Sequence, residues 1–301
     1  MTTVPLRATE PTEPQTLPLG EHRSPRVAAL RTLRNHPLGL AGGLLLLAVL
    51  GFCFLGPLFH RTDQTHVQLL DAALPPGGGH LLGTDTNGFD VLGRLMVGGR
   101  VSLEIGLLAA AFATAFGTLY GAVAGLAGGV VDGFLMRVVD TLLSVPFLFF
   151  VLILSARFHA DALSLSLVIG AFSWLVSARL VRGEVLTLRV REFVLAAKVM
   201  GSSRRRLILT HLVPNALGVI IVAVTFQVAD ALLVVSALGF LGFGLQYPAA
   251  DWGSQLADAA THMSAGYWWL IYPVGACIIL TVLALNLLGD ALRDAVGRRA
   301  D

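Results

Sequence analysis

Apolar residues in this chain neither alternate nor recur on a single face; they come in long runs. Six runs, 38–59, 101–125, 134–154, 162–178, 216–238 and 267–288, are separated by stretches that hold most of the charged residues. A hydrocarbon core takes roughly 20 residues of helix to cross, and a backbone that cannot meet water there must pair its amides within the segment. The runs therefore predict an all-α polytopic membrane protein with six transmembrane helices, the fourth being the shortest. Around them the chain divides into a tail over 1–35, a first transmembrane helix within 36–60, a loop over 61–99, a five-helix core over 100–290 interrupted by a polar loop over 179–213, and a second tail over 291–301. Gly117, Gly121, Gly125 and Gly129 recur at every fourth position, a small-xxx-small series that predicts a face where another helix comes very close. Pro57, Pro146 and Pro273 interrupt or border runs and predict kinks.

Composition agrees with a bilayer protein: 55% of residues are hydrophobic, 13% are charged and the mean hydropathy is +0.76. With the amino terminus inside, only Arg61, Arg94, Arg100 and Arg157 of the 21 Lys and Arg residues fall on the outside. That bias predicts a multi-pass protein of the cell membrane with both termini in the cytosol. The net charge of +2 thus reports topology, and no basic patch interleaved with aromatics points to nucleic acid. Cys53 and Cys277 lie inside runs, where a thiol behaves as a small hydrophobe, and no CxxC or Cys/His cluster predicts a metal site. His22, His36, His60, His66, His80, His159 and His262 are scattered without ligand spacing and read as solvated or capping residues. The first tail holds Pro5, Pro11, Pro14, Pro18 and Pro25 among Thr, Glu and Arg and lacks an apolar signal core, so it reads as disordered rather than as a cleaved leader. The loop over 61–99 is different. Leu81, Leu82, Val91, Leu92 and Leu95 flank its turn residues, which predicts a folded cap or binding face rather than a solvated connector.

The polar loop contains REFVLAAKVMGSSRRRLILTHLVP over 191–214. Phe193, Ala196, Ala197 and Met200 fall at i, i+3, i+4 and i+7, one apolar face of a short helix. Gly201 supplies a permissive φ to end it, Ser203 is placed to cap the next helix at Arg204-Arg205-Arg206, and Pro214 suits the first turn of the following membrane helix. The segment predicts a helix-turn-helix along the membrane face with an apolar knob for docking; a basic amphipathic segment resting on anionic lipid is the competing reading.

The spacing of Ala196-Ala197, Gly201 and Pro214 resembles the EAA loop of ABC-importer permeases. LLGTDTNGFDVLGRL (81–95), MRVVDTLLSVP (136–146), ARLVRGEVLTLRVREFVLAAKVMG (178–201), HLVPN (211–215), ALGFLGFGLQYPAADWG (237–253) and ALNLLGDALRD (284–294) together resemble the peptide/nickel branch of those permeases, within it the C-type subunit of dipeptide and oligopeptide importers. The resemblance runs from about His36 to Arg293. It implies the type I ABC-importer architecture and half of a translocation path for di- or oligopeptides. It further implies a second homologous permease, two ATPase domains and an extracytoplasmic solute-binding protein as partners. In that frame the coupling to the ATPases runs through Glu192, Phe193, Leu195, Ala196, Ala197, Lys198, Met200 and Gly201. Three positions depart from the family pattern: Leu195 replaces its Glu, Phe89 replaces an Arg, and His211 replaces the Ile of the general motif. Glu192 lies one turn before Ala196, on nearly the same face.

ATP hydrolysis needs a glycine-rich cradle followed by a lysine. The only lysine here, Lys198, stands between Ala197 and Val199, so ATP and Mg belong to partner ATPases, no cofactor is expected in this chain, and no enzyme is predicted. Ionisable groups within membrane spans are candidates for the transport path because their burial is costly. Glu104 follows Arg100 by four residues and is expected to pair with it; Asp140 follows Arg137 by three and is expected to pair there rather than to contact substrate. Asp230 has no sequence-local cation and is the leading path candidate, with Asp140 second and Asn286 as a polar companion. Competing functions are a proton-driven carrier using Asp140 and Asp230, a permease for nickel or another small solute, and a membrane anchor without transport. The absence of a visible inverted repeat and the presence of the basic loop weigh against the proton-driven carrier.

Overall fold

A computed structural model describes residues 37–157, 161–246 and 248–297. The tail over 1–35, with its prolines, and His22, His36 and His159 lie outside the described residues. The chain is a bundle of helices: α1 (Pro37–Phe59), α2 (Val91–Ala127), α3 (Gly129–Leu143), α4 (Phe147–Ser155), α5 (Ala162–Leu188), α6 (Glu192–Val199), α7 (Arg204–Phe240), α8 (Trp252–Thr261) and α9 (Trp268–Gly297). Helices α1, α2, α5, α7 and α9 are each long and apolar enough to cross a membrane, and α3 with α4, bent by 77°, makes the sixth span. One end of the bundle carries the segment over 60–90, here the cap end; the other carries α6 and the arginines around it, here the basic end.

Several helices outrun the apolar segments that announce them. α2 starts at Val91 rather than 101, α5 continues to Leu188 rather than 178, and α7 starts at Arg204 rather than 216. Hydropathy marks the slab that a helix crosses; the helix itself continues for as long as its backbone and polar side chains find partners. The 37 residues of α2 make a rod of about 55 Å, against a core of about 30 Å. Its extension at the cap end is held by Gln255 Nε2, which donates to Arg94 O at 2.9 Å, and by the buried Trp252, whose Nε1 donates to Leu95 O at 3.0 Å.

Proline shapes the spans in two ways. At Pro146 the chain breaks, because the ring removes an N–H and drives the preceding residue out of the helical region. At Pro57 and Pro214 it does not break. A π-turn precedes each proline, over Gly51–Leu55 in α1 and Leu207–Leu212 in α7, and the residue just before the proline donates five residues back, Gly56 N–H to Gly51 O and Val213 N–H to Ile208 O. The wider turn moves the carbonyl that the ring would strike. Pro214 therefore sits inside a longer helix, not at the start of one. Pro273 lies within α9.

α2 and α5 form the most extensive helix pair, and α2 also packs along α7. The glycine series explains the closeness of that pair. A Cβ at Gly117 would lie 2.7 Å from Trp174 O, one at Gly121 would overlap Ala178 O, and one at Gly125 would lie 2.8 Å from Val185 Cγ1. Gly129 does not belong to that face. α2 ends at Ala127, Gly128 and Gly129 turn the chain with φ of +65° and +55°, and a Cβ at Gly129 would meet nothing within 4 Å. A four-residue period describes a face only while the helix lasts. At the basic end Arg182 clamps Asp132 through Nε at 2.6 Å and Nη2 at 2.8 Å, and Arg189 Nη1 donates to Gly125 O at 2.9 Å, joining α3 and α2 to α5.

The cap is folded against the bundle. Trp269 Nε1 of α9 donates to Thr84 O at 3.2 Å, and Phe89, which is buried, lies under the Arg94 guanidinium at 4.4 Å. At its centre Asp90 caps α2 by accepting from Gly93 N–H at 2.7 Å. The same carboxylate accepts from His60 Nε2 and His80 Nδ1, each at 2.9 Å, so the end of α1, the loop and the start of α2 meet on one side chain. Burial pushes the Asp90 carboxyl up, but the hydrogen bonds from Gly93, His80 and His60 outweigh it and hold the group below its ordinary range. A depressed folded pKa contributes stability above the ordinary carboxylate pKa of about 4 that is lost as pH falls through the folded value. Amide exchange over 60–95, corrected for its intrinsic rate, is expected to accelerate on acidification from about pH 5 to pH 3. Asp90→Asn should exchange fast already at neutral pH and lose most of that dependence; a pH profile equal to wild type would remove Asp90 as the clasp.

Candidate functional site

At the basic end α6 is built to stop abruptly. Gly201 takes φ of +80°, Gly201 N–H donates to Lys198 O at 3.0 Å and Ser202 N–H to Ala197 O at 3.0 Å, a closure that satisfies the last carbonyls and needs a left-handed residue. Ser203 Oγ then accepts from Arg206 N–H and starts α7. Between these caps α6 has two apolar sectors. Val194 and Ala197 are buried against Val181 and Val185 of α5 and Leu207 and Leu212 of α7. Phe193, Leu195, Ala196, Val199 and Met200 face outward, Val199 at 89% and Met200 at 79% exposure, with Glu192 and Lys198 also exposed beside them. Ala197 is thus corrected: it anchors α6 to its own chain and is absent from the outer knob, while Val199 joins it. Periodicity finds an apolar sector but cannot say which part its own bundle covers. An outward cluster of large apolar side chains between arginines and a glutamate is the signature of an interaction surface.

The second feature is a cavity of about 720 Å³ walled by the α3–α4 break, α5 and α7. Leu142, Val145, Phe147, Phe172, Val176, Phe226 and Leu233 make most of it apolar. Its polar floor is Gln227, whose amide is fixed at both ends: Ser177 Oγ donates to its Oε1 at 2.7 Å and its Nε2 donates to Ser173 O at 2.9 Å. Asp230 also lines the cavity, one turn along α7, and has no hydrogen bond or ion pair to another described residue. Asp140 lies elsewhere. It is tied to Arg179 of α5 rather than to Arg137, and it does not line the cavity, because the break after Leu143 swings α3 so that its nearest cation comes from the facing helix. Asn286 is spent within α9 on Val282 O at 2.9 Å, and Glu104 accepts from Arg100 Nε at 2.8 Å.

Reading for charge alone passes over Ser173, Ser177 and Gln227. The signal that finds them is polarity inside apolar runs, with the two serines four residues apart on α5. It also passes over the clamp at Asp251, which caps α8 by accepting from Ser254 N–H at 2.9 Å and is crowded by Gly239 and Gly244.

Residues 117–301 match the family described as binding-protein-dependent transport system inner membrane component, and residues 24–76 match the N-terminal TM domain of oligopeptide transport permease C. The chain belongs to this binding-protein-dependent permease family. The first match spans the glycine face of α2, α6 and the whole cavity; the second spans α1 and the first half of the cap. The permease is 41% identical, over 92% of both chains, to the oligopeptide transport system permease protein OppC of Escherichia coli. It is 34% identical to OppC of Bacillus subtilis over 89% of this chain and 88% of the relative, and 36% identical to the dipeptide transport system permease protein DppC of Bacillus subtilis over 89% and 84%. Its six-span all-α bundle is the type I ABC permease architecture, in a multi-pass protein of the inner membrane. As a permease subunit it is not itself catalytic.

Proposed function

We propose that this permease is the C-type membrane subunit of an ATP-driven importer of di- and oligopeptides. It forms half of the translocation path together with a second homologous permease. The basic end lies in the cytosol with both termini, an orientation supported by the arginines collected there. α6 docks on one of two ATPase domains, which bind ATP and Mg, and the cap receives an extracytoplasmic solute-binding protein. Peptide as cargo is supported by the named activities of the OppC and DppC relatives.

The observation that carries the coupling is the outward apolar face of α6, held on the end of a bundle whose helix α7 runs without a break from Arg204 to the cavity at Asp230. Rigid movement of α6 by closing ATPases is thereby passed to the cavity wall as helix displacement. Asp230, and less directly Asp140 through its tie to Arg179, belong to that moving wall.

The test is ATP-dependent uptake of labelled di- to pentapeptides into proteoliposomes holding the co-purified complex, wild type against Gly201→Asp. A Cβ at position 201 meets nothing within 4 Å, so the chain folds, but the left-handed backbone is strained and the exit of α6 changes. The expected outcome is loss of uptake with the complex still assembled. Peptide uptake that proceeds without any ATPase would replace this reading with a proton-driven carrier.

A further inference from the structure

We infer that Asp230 is a binding site for the positively charged amino terminus of a peptide crossing the cavity, with Gln227 beside it for the first peptide bond. The inference rests on the peptide-importer reading above and adds the group that the path recognises.

Asp230 lies ten residues before the end of α7 at Phe240, about 15 Å along the helix from the cap end, and its side chain is exposed on the open cavity. A carboxylate at that depth is costly unless a cation meets it. No cation of the facing helices lines the cavity: Arg137 of α3, which makes no ion pair to another described residue, is not part of its wall. On α5, Arg179 is held by Asp140 and Arg182 by Asp132, and among the described residues no ion pair reaches Asp230. The missing cation has to arrive from the cavity or across it.

The rest of the wall indicates which kind of cation. Among the described residues no group of His, Cys, Asp and Glu fit to hold a metal exists, so a lone carboxylate beside an amide is a poor metal site and a good ammonium acceptor. Gln227 precedes Asp230 by three residues on the same helix, which puts their Cβ atoms about 5–6 Å apart on one face. With its orientation fixed by Ser177 and Ser173, the Gln227 amide has one lone pair and one N–H left for a peptide unit adjoining the ammonium. Around this polar pair the wall is wide and apolar, through Phe172, Phe226 and Leu233, and carries no second charge that would select a side chain. The arrangement reads the one feature shared by peptides of every sequence, the free backbone terminus, and tolerates the rest.

The experiment uses the assembled complex in nanodiscs, without the solute-binding protein, so that only the path is read. A tripeptide carrying a benzophenone side chain is offered with its amino terminus free or acetylated, and photolabelling of this subunit is quantified for wild type, Asp230→Asn and Asp230→Glu. Wild type is expected to be labelled about tenfold more by the free peptide than by the acetylated one. Asp230→Asn should bring that ratio near one, and Asp230→Glu should restore part of it. An unchanged ratio in Asp230→Asn overturns the inference. So does failure of Asp230→Asn to assemble with the second permease, which would make Asp230 an ion-pair partner across that interface. Equal labelling of wild type by both peptides, with ATP-driven peptide uptake intact, overturns this site alone; no labelling and no uptake by wild type overturns the peptide-importer reading with it.

Discussion

Gly121→Ala is expected to lower the melting temperature of the detergent-purified permease sharply, whereas Gly183→Ala is not. The new Cβ at position 121 would overlap Ala178 O and lie 3.0 Å from Arg182 N. Both atoms belong to the backbone of α5, so no flexible side chain can yield, and the two helices must part along their whole contact. Overpacking of this kind costs about 1–3 kcal/mol, and more where the pair is extensive. Gly183 sits in α5 with nothing within 4 Å of its added Cβ. There the same substitution gains helix propensity, up to about 1 kcal/mol. Thermal unfolding of the two variants side by side checks both signs; Gly121→Ala melting with wild type would mean that the glycine face is not where the bundle is tightest.

Val199→Asp combined with Met200→Asp should leave the permease folded and cut ATP-driven peptide uptake by about 30-fold, the equivalent of about 2 kcal/mol at a central interface position. Both side chains are outward on α6 and touch no core cluster, so the charge harms only what docks there. Ala197→Asp, by contrast, drives a carboxylate into the cluster of Val181, Val185, Leu207 and Leu212 and is expected to unfold the basic end. Uptake paired with pull-down of the ATPase separates the cases. Normal uptake by the double aspartate variant would place the docking surface elsewhere.

Much of the bundle was legible because burial in lipid imposes a crude rule, a run of apolar residues for every crossing. The rule says nothing about polar residues that prolong a helix beyond the slab, which is why Val91 and Leu188 escape it. Nor does it distinguish a kink from a break. Pro57, Pro146 and Pro214 are one residue type in three settings, and the outcome depends on whether the preceding turn can widen. Charge pairing was legible where partners share a helix, as at Arg100 and Glu104, and not where the partner comes from another, as at Arg179 and Asp140. The His60–Asp90–His80 clasp was hidden for the same reason, since its members are far apart in sequence and meet only after the cap folds. Of the site, the outward sector of α6 was visible in the spacing of Phe193, Ala196 and Met200. The pairing of Gln227 with Asp230 required knowing which faces of α5 and α7 line the cavity.

The π-turns of α1 and α7 each house one residue more than an α-helix would need. That surplus couples chain length to a single side chain. Deleting one residue within Leu207–Leu212 restores an ordinary ladder, yet returns the Pro214 ring to the carbonyl four residues before it. Replacing Pro214 alone leaves an extra residue with no reason to bulge. Only the paired change is neutral in principle, because the wide turn had absorbed the extra residue and losing both keeps the α6-bearing stub nearly in phase with the segment that carries Asp230. In this lineage an indel at that joint and the loss of its proline should therefore travel together, and the phase between the docking helix and the cavity wall is inherited as one unit.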